Sequence, residues 1–310
     1  MTEWTFDQSA AAERRGRISY GLPGSGGPPL SSLVQIEFGA CSRAAPHRPT
    51  NEDHMLIMHL GRSQDVIMTS LPQADVPRPF EEHGYAMLVA DGAGNMGAGG
   101  LASRVAISAI AHLALHFGKW NLRVDGRVAE EIMERAEWFY QRAAEAVQRH
   151  SRASPLFAGM CSTLTAAFSA GDELFYAHVG HSRAYLYRDG ELMQLTRDHT
   201  VEQHLRESTG PVPVVPASDL GAILTDAIGA GEGLPSVQVD RLGLLDNDTV
   251  LLCTDGLTNT LDDEAIAEFL SQPRRIEDQC RALVDLAFTR GTEDDATVVM
   301  AKYRIPAVSR

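Results

Sequence analysis

Apolar runs that end in carboxylates set the pattern of this chain. Tyr85 to Ala90 reads as a buried strand that stops at Asp91-Gly92, where glycine lets the backbone turn and leaves little bulk beside the acid. Leu101 to Phe117 follows with the apolar spacing of a helix rich in Ala and Leu. The same grammar recurs in Val250 to Cys253 before Asp255-Gly256, while Asp294 and Asp295 open a β-branched run. Asn51, Glu52 and Asp53 stand just before MLIMHL. Four predicted strand ends therefore carry carboxylates.

The remaining pattern fills in around them. From Leu33, LVQIEFGACS alternates like a strand with one wet face, and MLIMHL reads as its hairpin partner. Gly61 to His83, with Pro72, Pro77 and Pro79, reads as a loop. A second helix is predicted from about Arg127 to Arg149, with Val128, Ile132, Ala136, Tyr140 and Ala143 on one face. Ser162–Ser169, Glu173–Val179, Arg183–Tyr187 and Glu191–Leu195 form a predicted antiparallel meander, turning at Gly171-Asp172 and Asp189-Gly190. Thr200 to Pro235 mixes a short helix with Pro and Gly and is the candidate flap. A strand at 250–254, helices near 262–270 and 275–289, and a strand at 296–303 close the chain. Strands cluster and helices pair, which predicts a layered α+β fold rather than strict βαβ alternation. Residues 1–32, containing GLPGSGGPPLSS, read as a flexible leader, 33–304 as one domain and 305–310 as a tail.

Composition narrows the function classes. Of the 310 residues 44% are hydrophobic, enough for a sizeable core. The formal charge of −14 opposes non-specific attraction to nucleic acid or anionic membrane, and favours a cation as partner. The four cysteines, Cys41, Cys161, Cys253 and Cys280, lack metal-ligand spacing and read as reduced core residues. With no basic segment leading an apolar stretch at the N-terminus, a cytoplasmic chain is expected.

A single Asp-Gly pair is ordinarily a turn. Four acidic strand ends converging on one place would repel each other, and divalent cations would convert that repulsion into coordination. Oxygen ligands favour Mg²⁺ or Mn²⁺ over zinc. Other motifs are weaker. GAGNMG at Gly92 to Gly97 matches a dinucleotide fingerprint, but Asp91 would sit beside the pyrophosphate and the acidic partner expected some 20 residues on falls in AHLALHFG, still helical. VGHSRA resembles a nucleophile elbow around Ser182, yet it leads into a hairpin instead of a helix. His47, His54, His181 and His199 lie in or beside these stretches, where structural hydrogen bonding is the commoner role.

In order along the chain, RPTNED from Arg48, ADGAGNMG from Ala90, CSTLTAAF from Cys161, VGHSRAYLYRDGELMQLTRDHT from Val179, LLCTDGLTN from Leu251 and EDDATVVM from Glu293 resemble the blocks of the metal-dependent protein serine/threonine phosphatases. This is the PPM, or protein phosphatase 2C, family in its bacterial branch, and the likeness covers roughly residues 33–303. The resemblance implies a four-layer α/β/β/α sandwich of two antiparallel sheets flanked by paired helices. It also implies two Mn²⁺ or Mg²⁺ ions, with Asp91 bridging them and the Gly92 carbonyl on one. Asp255 and Asp294 would hold the first ion, Glu52 or else Asp53 would reach the second, and Arg48 would grip the substrate phosphate. Water activated between the ions would hydrolyse phosphoserine or phosphothreonine in a protein substrate, opposing a serine/threonine kinase. Two departures stand out. His181 replaces the Asp that helps bind a third ion in bacterial members, which leaves open a catalytically weak, phosphoprotein-binding regulator, and Ala93 stands where some relatives carry a His.

Overall fold

The computed structural model describes residues 30–72, 76, 79–117, 126–207, 220–221, 223–231 and 233–307. The expected leader, apart from a 3-10 turn at Leu30–Ser32, and positions 208–219 of the expected flap lie outside the described residues.

Eleven strands assemble into two antiparallel sheets among the described residues. β1 (Gln35–Arg43), β11 (Ala296–Arg304), β10 (Thr249–Cys253), β7 (Arg183–Arg188) and β8 (Glu191–Gln194) lie in that order in one sheet. In the other, β2 (Asp53–Gln64), β3 (Phe80–Ala93), β5 (Leu164–Ala170), β6 (Glu173–Val179) and β9 (Gln238–Gly243) are neighbours, with the two-residue β4 (Cys161–Ser162) paired to the end of β3. The sheets face each other across Met87, Val89, Leu174, Leu186, Val250, Leu252 and Val299. Removing such residues from water drives the layering at about 25 cal/mol per Å² of apolar surface.

Helices cover both outer faces. α1 (Ala98–Phe117) and α2 (Gly126–Ala153) pack on the second sheet, where Ala98, Ala102 and Ala106, four residues apart, let α1 approach closely. α3 (Val201–Glu207) is a short helix in the expected flap. α4 (Asp255–Thr258), α5 (Asp263–Leu270) and α6 (Ile276–Thr289) supply the layer on the first sheet, with Leu257, Ile266, Leu283 and Val284 buried against it. The α/β/β/α sandwich expected from the resemblance is the observed architecture.

Several elements differ from the pattern-based reading. The loop expected over 61–83 is shorter, because β2 runs on to Gln64 and β3 begins at Phe80. The expected meander divides: β5 and β6 pair in one sheet, β7 and β8 in the other, so the chain crosses between sheets at Gly180-His181. The β7–β8 turn is as expected, with Asp189 and Gly190 both at positive φ (54° and 90°), the backbone of a type I′ hairpin. β9 carries only partial alternation, QVDRLG, and escaped the pattern. Asp91 does not end its strand; β3 continues through Ala93, where β4 pairs with it.

Candidate functional site

At one end of the sandwich the mouths of β2, β3, β10 and β11 meet the β6–β7 crossing. Asp53 stands opposite Asp91 in the β2–β3 ladder. Asp255 opens α4 just past Thr254, which follows β10, and Asp294 is separated from β11 by Asp295 alone. The ligand atoms of Asp91, Asp255 and His181 all lie within 4.8 Å of one another. His181 Nδ1 is 3.8 Å from Asp255 Oδ2.

Asp91 is held by its backbone. Its N–H donates to Thr163 Oγ1 (2.9 Å), and its carbonyl accepts from Thr163 N–H (2.8 Å) and Ser162 Oγ (3.0 Å). Thr163 Oγ1 in turn shares a hydrogen bond with Ser182 Oγ (2.6 Å), and Ser182 is fully buried. The Ser182 hydroxyl, despite its elbow-like VGHSRA setting, is thus a support behind Asp91.

A glycine pair allows the helix to reach this site. A Cβ on Gly92 would lie 1.9 Å from Gly99 O, and one on Gly99 would lie 2.3 Å from Gly92 O and 2.9 Å from Glu52 Cδ. Only glycine at both positions lets the first turn of α1 touch the backbone beside Asp91 and Glu52.

The loop before β2 is ordered by Asp295. Its Oδ1 accepts from Ala45 N–H (2.8 Å) and its Oδ2 from Glu52 N–H (2.7 Å), with the side chain 1% exposed. Arg48 is fixed between acids: its guanidinium lies 2.7 Å from Asp294 Oδ1, 3.5 Å from Asp295 Oδ2 and 3.6 Å from Glu52 Oε2. Beside Arg48 and Asp294 opens a polar cavity of about 490 Å³, lined also by His47, Asn259, Thr260 and Glu293.

Electrostatics record the crowding. Burial, then the charges of Asp53, Asp255 and Asp294, push the Asp91 carboxyl well above the ordinary carboxylate range. Burial followed by Asp255 raises Asp294, against the pull of Arg48. Burial opposes charge on Arg48, but Asp294, Asp295, Asp91 and Glu52 outweigh it and raise its pKa. Asp53 is also raised, chiefly by burial, although its Oδ2 accepts from Thr254 and Thr297 hydroxyls at 2.7 Å each. Glu52 Oε1, Asp53 Oδ1, Asp255 Oδ1 and His181 Nδ1 are buried with no hydrogen-bond partner. Unpartnered carboxylate oxygens crowded at one place fit hard divalent cations, which would supply the missing positive charge.

Arg48, Glu52, Asp91, Gly92, Asp255 and Asp294, together with His181, therefore lie at one end of the sandwich. Asp53 contributes one bonded and one free oxygen from a more buried position. Two of the remaining histidines are structural: His54 Nδ1 bonds Ser103 Oγ (2.9 Å), and His199 Nδ1 accepts from Gly180 N–H (3.4 Å). The roles of Asp295, Thr163 and the Thr254–Thr297 pair escaped the sequence reading, because they depend on partners far away in the chain.

Both the sequence and the fold of this chain have known relatives. The family model described as Protein phosphatase 2C matches residues 70–287. The chain is 32% identical over 216 residues, 69% of its length, to serine/threonine protein phosphatase PstP of Mycobacterium tuberculosis, and that match spans 40% of the relative. It is 31% identical over 218 residues, 70% of its length, to serine/threonine phosphatase stp of Listeria monocytogenes, spanning 83% of that protein. Among solved structures, the PstP catalytic domain in complex with two manganese ions superposes with a TM-score of 0.65 at 27% identity, covering 87% of this chain and 99% of that one. The serine/threonine phosphatase of S. agalactiae shares the fold, with a TM-score of 0.69 at 23% identity over 86% of this chain and 99% of that chain.

Proposed function

Because this chain belongs to the protein phosphatase 2C family, we propose that it hydrolyses phosphoserine and phosphothreonine in proteins with the help of two Mn²⁺ or Mg²⁺ ions. The observation that carries the reading is the set of buried, unpartnered oxygens of Glu52, Asp53 and Asp255 facing the raised Asp91 carboxyl. Asp91, the Gly92 carbonyl, Asp255 and Asp294 would hold the ions together with Glu52, or else Asp53. Bound there, such ions supply Lewis-acid activation of water at neutral pH and offset charge on the phosphate.

The protein's own groups do the rest. Arg48, with its planar fork, exchanges its pairing to Asp294 for the substrate phosphate and neutralises charge that builds on the phosphoryl oxygens. Asp295 keeps Arg48 and Glu52 in register through the backbone N–H of Glu52. Thr163, backed by Ser182, fixes the Asp91 backbone. Ser182 is buried and does not serve as nucleophile; water attacks phosphorus directly and gives up a proton to solvent, and the seryl or threonyl oxygen leaves in the same step, taking up a proton from solvent. The substrates are cytoplasmic phosphoproteins modified by a serine/threonine kinase.

The test is release of phosphate from p-nitrophenyl phosphate and from a phosphothreonine peptide, with and without Mn²⁺. Metal-dependent turnover that Asp91→Ala abolishes supports the reading; turnover without divalent metal, or full activity in Asp91→Ala, defeats it. His181 favours a second reading, because its unpartnered Nδ1 lies beside Asp91 and Asp255, where it competes as a nitrogen donor poorly suited to Mg²⁺. That reading is a phosphoprotein-binding regulator with weak turnover. It requires that the wild type retain a phosphoprotein without hydrolysing it and that His181→Asp restore hydrolysis; a strongly active wild type removes it.

A further inference from the structure

At the far end of β2 and β3 from the carboxylates, the same two strands carry a second group of metal-ligating side chains that hydrolysis does not use. His59 stands opposite Tyr85, Gly61 opposite His83 and Ser63 opposite Glu81. Strand alternation therefore puts His59, His83 and Glu81 on one face. His59 Nε2 and His83 Nδ1 approach to 3.0 Å, with ring centroids 5.1 Å apart. His59 also stacks on Tyr85 at 4.9 Å between centroids, which limits its rotation. On the other side of the His83 ring, Glu81 Oε2 lies 3.6 Å from Nε2.

With its hydrogen on Nε2, toward that carboxylate, His83 would turn the Nδ1 lone pair toward His59. A carboxylate on the outer nitrogen of an imidazole is the usual support of a metal-bound histidine. The spacing is also suitable. Two imidazole nitrogens at about 2.0–2.1 Å from one ion are separated by about 2.8 Å when the bonds are at right angles and by about 3.4 Å when tetrahedral. The observed 3.0 Å falls inside that interval, and turning the two rings so that their lone pairs converge would let them share one ion. His59 is exposed and the His83 side chain is 26% exposed, which leaves a route for entry.

We propose that His59 and His83, with Glu81 orienting His83, form a two-imidazole site for a transition-metal cation of the Cu²⁺, Ni²⁺ and Zn²⁺ group. Imidazole pairs favour these ions over Mn²⁺ and Mg²⁺, which oxygen ligands suit, and saturating Mn²⁺ keeps the carboxylate centre occupied. Six residues of extended strand separate His59 from Asp53, about 20 Å, so the two sites load independently. Two protein ligands leave the remaining positions to water or to a donor from another molecule. The site is a clip across β2 and β3, open on its solvent side.

The experiment holds the full-length protein at saturating Mn²⁺ and titrates Cu²⁺ from a weak chelator buffer, read by calorimetry and by electron paramagnetic resonance. The expected result is one tight equivalent of Cu²⁺ whose spectrum carries couplings from two imidazole nitrogens. His59→Gln or His83→Gln removes one nitrogen and most of the affinity, and Glu81→Gln weakens binding by about 10- to 100-fold, the range for loss of an outer-shell partner. The wild-type spectrum tests the proposal even if a variant fails to fold. A tight equivalent that persists in the His59→Gln/His83→Gln protein, or a spectrum with fewer than two imidazole nitrogens, overturns it.

Discussion

Gly99 and Gly100 lie side by side in the first turn of α1, yet an added methyl group meets very different surroundings at the two positions. At Gly99 the new Cβ would lie 2.3 Å from Gly92 O, 2.6 Å from Gly92 C and 2.9 Å from Glu52 Cδ. At Gly100 the nearest atoms are Asn51 O at 3.5 Å and Glu52 Cα at 3.6 Å, ordinary contact. Alanine gains up to about 1 kcal/mol over glycine in a helix, and this gain is shared by both variants. Their difference therefore isolates the overpacking cost at Gly99, about 1–3 kcal/mol for forcing bulk into a packed site. Because the obstacle is backbone, relief must come from moving the Gly92 segment or Glu52, both beside Asp91. Thermal unfolding of the metal-free proteins should place Gly99→Ala several degrees below Gly100→Ala, and the Mn²⁺ concentration for half-maximal phosphatase activity should rise at least about tenfold only in Gly99→Ala, a loss of about 1.4 kcal/mol. If Gly99→Ala melts as high as Gly100→Ala and needs no more Mn²⁺, the close approach does not position the site.

Ser182→Ala should keep phosphatase activity within about tenfold of wild type and lose about 1 kcal/mol of stability, the usual net worth of one hydrogen bond; loss of all turnover in a folded variant would make Ser182 more than a support. Asp295→Ala strands the N–H groups of Ala45 and Glu52, so denaturant unfolding should show a loss of about 2–4 kcal/mol, with kcat/KM falling as Arg48 and Glu52 lose their anchor; unchanged kinetics would show that Arg48 is positioned otherwise. Arg48→Lys should raise KM for a phosphopeptide, because a single ammonium cannot reproduce the guanidinium fork, and an unaltered KM counts against a phosphate contact. His178 offers a pH test: burial, then the neighbouring His199, lower its pKa from 6.5 to about 3. The unfolded chain then binds the proton first, so stability is complete above pH 6.5 and is lost as pH falls toward 3, by at most about 5 kcal/mol. His178→Gln should flatten that decline in acid unfolding curves, and parallel curves for the two proteins would refute the assignment.

Adjacent acids show where sequence reasoning succeeds and where it stops. The apolar runs before Asp255 and after Asp294, and around Asp91, were legible because burial of both sheet faces leaves near-continuous hydrophobic strands. The division of labour within Glu52-Asp53 and Asp294-Asp295 was not. Neighbouring side chains point apart, so the second acid of each pair, Asp53 and Asp295, takes hydrogen bonds from buried donors that the first does not. Which one does so depends on distant partners: Asp53 turns toward hydroxyls from Thr254 and Thr297, 201 and 244 residues away, and Asp295 toward N–H groups of Ala45 and Glu52 about 250 residues back. No local periodicity encodes those contacts. The crossing at Gly180-His181 is hidden for a similar reason: β6 and β7 read as consecutive hairpin strands, and only the pairing of β7 with β10 places them in different sheets. That crossing delivers His181 to Asp91 and Asp255. His181, which distinguishes the two proposed readings, is therefore placed by sheet topology, while the carboxylates beside it are placed by strand pattern.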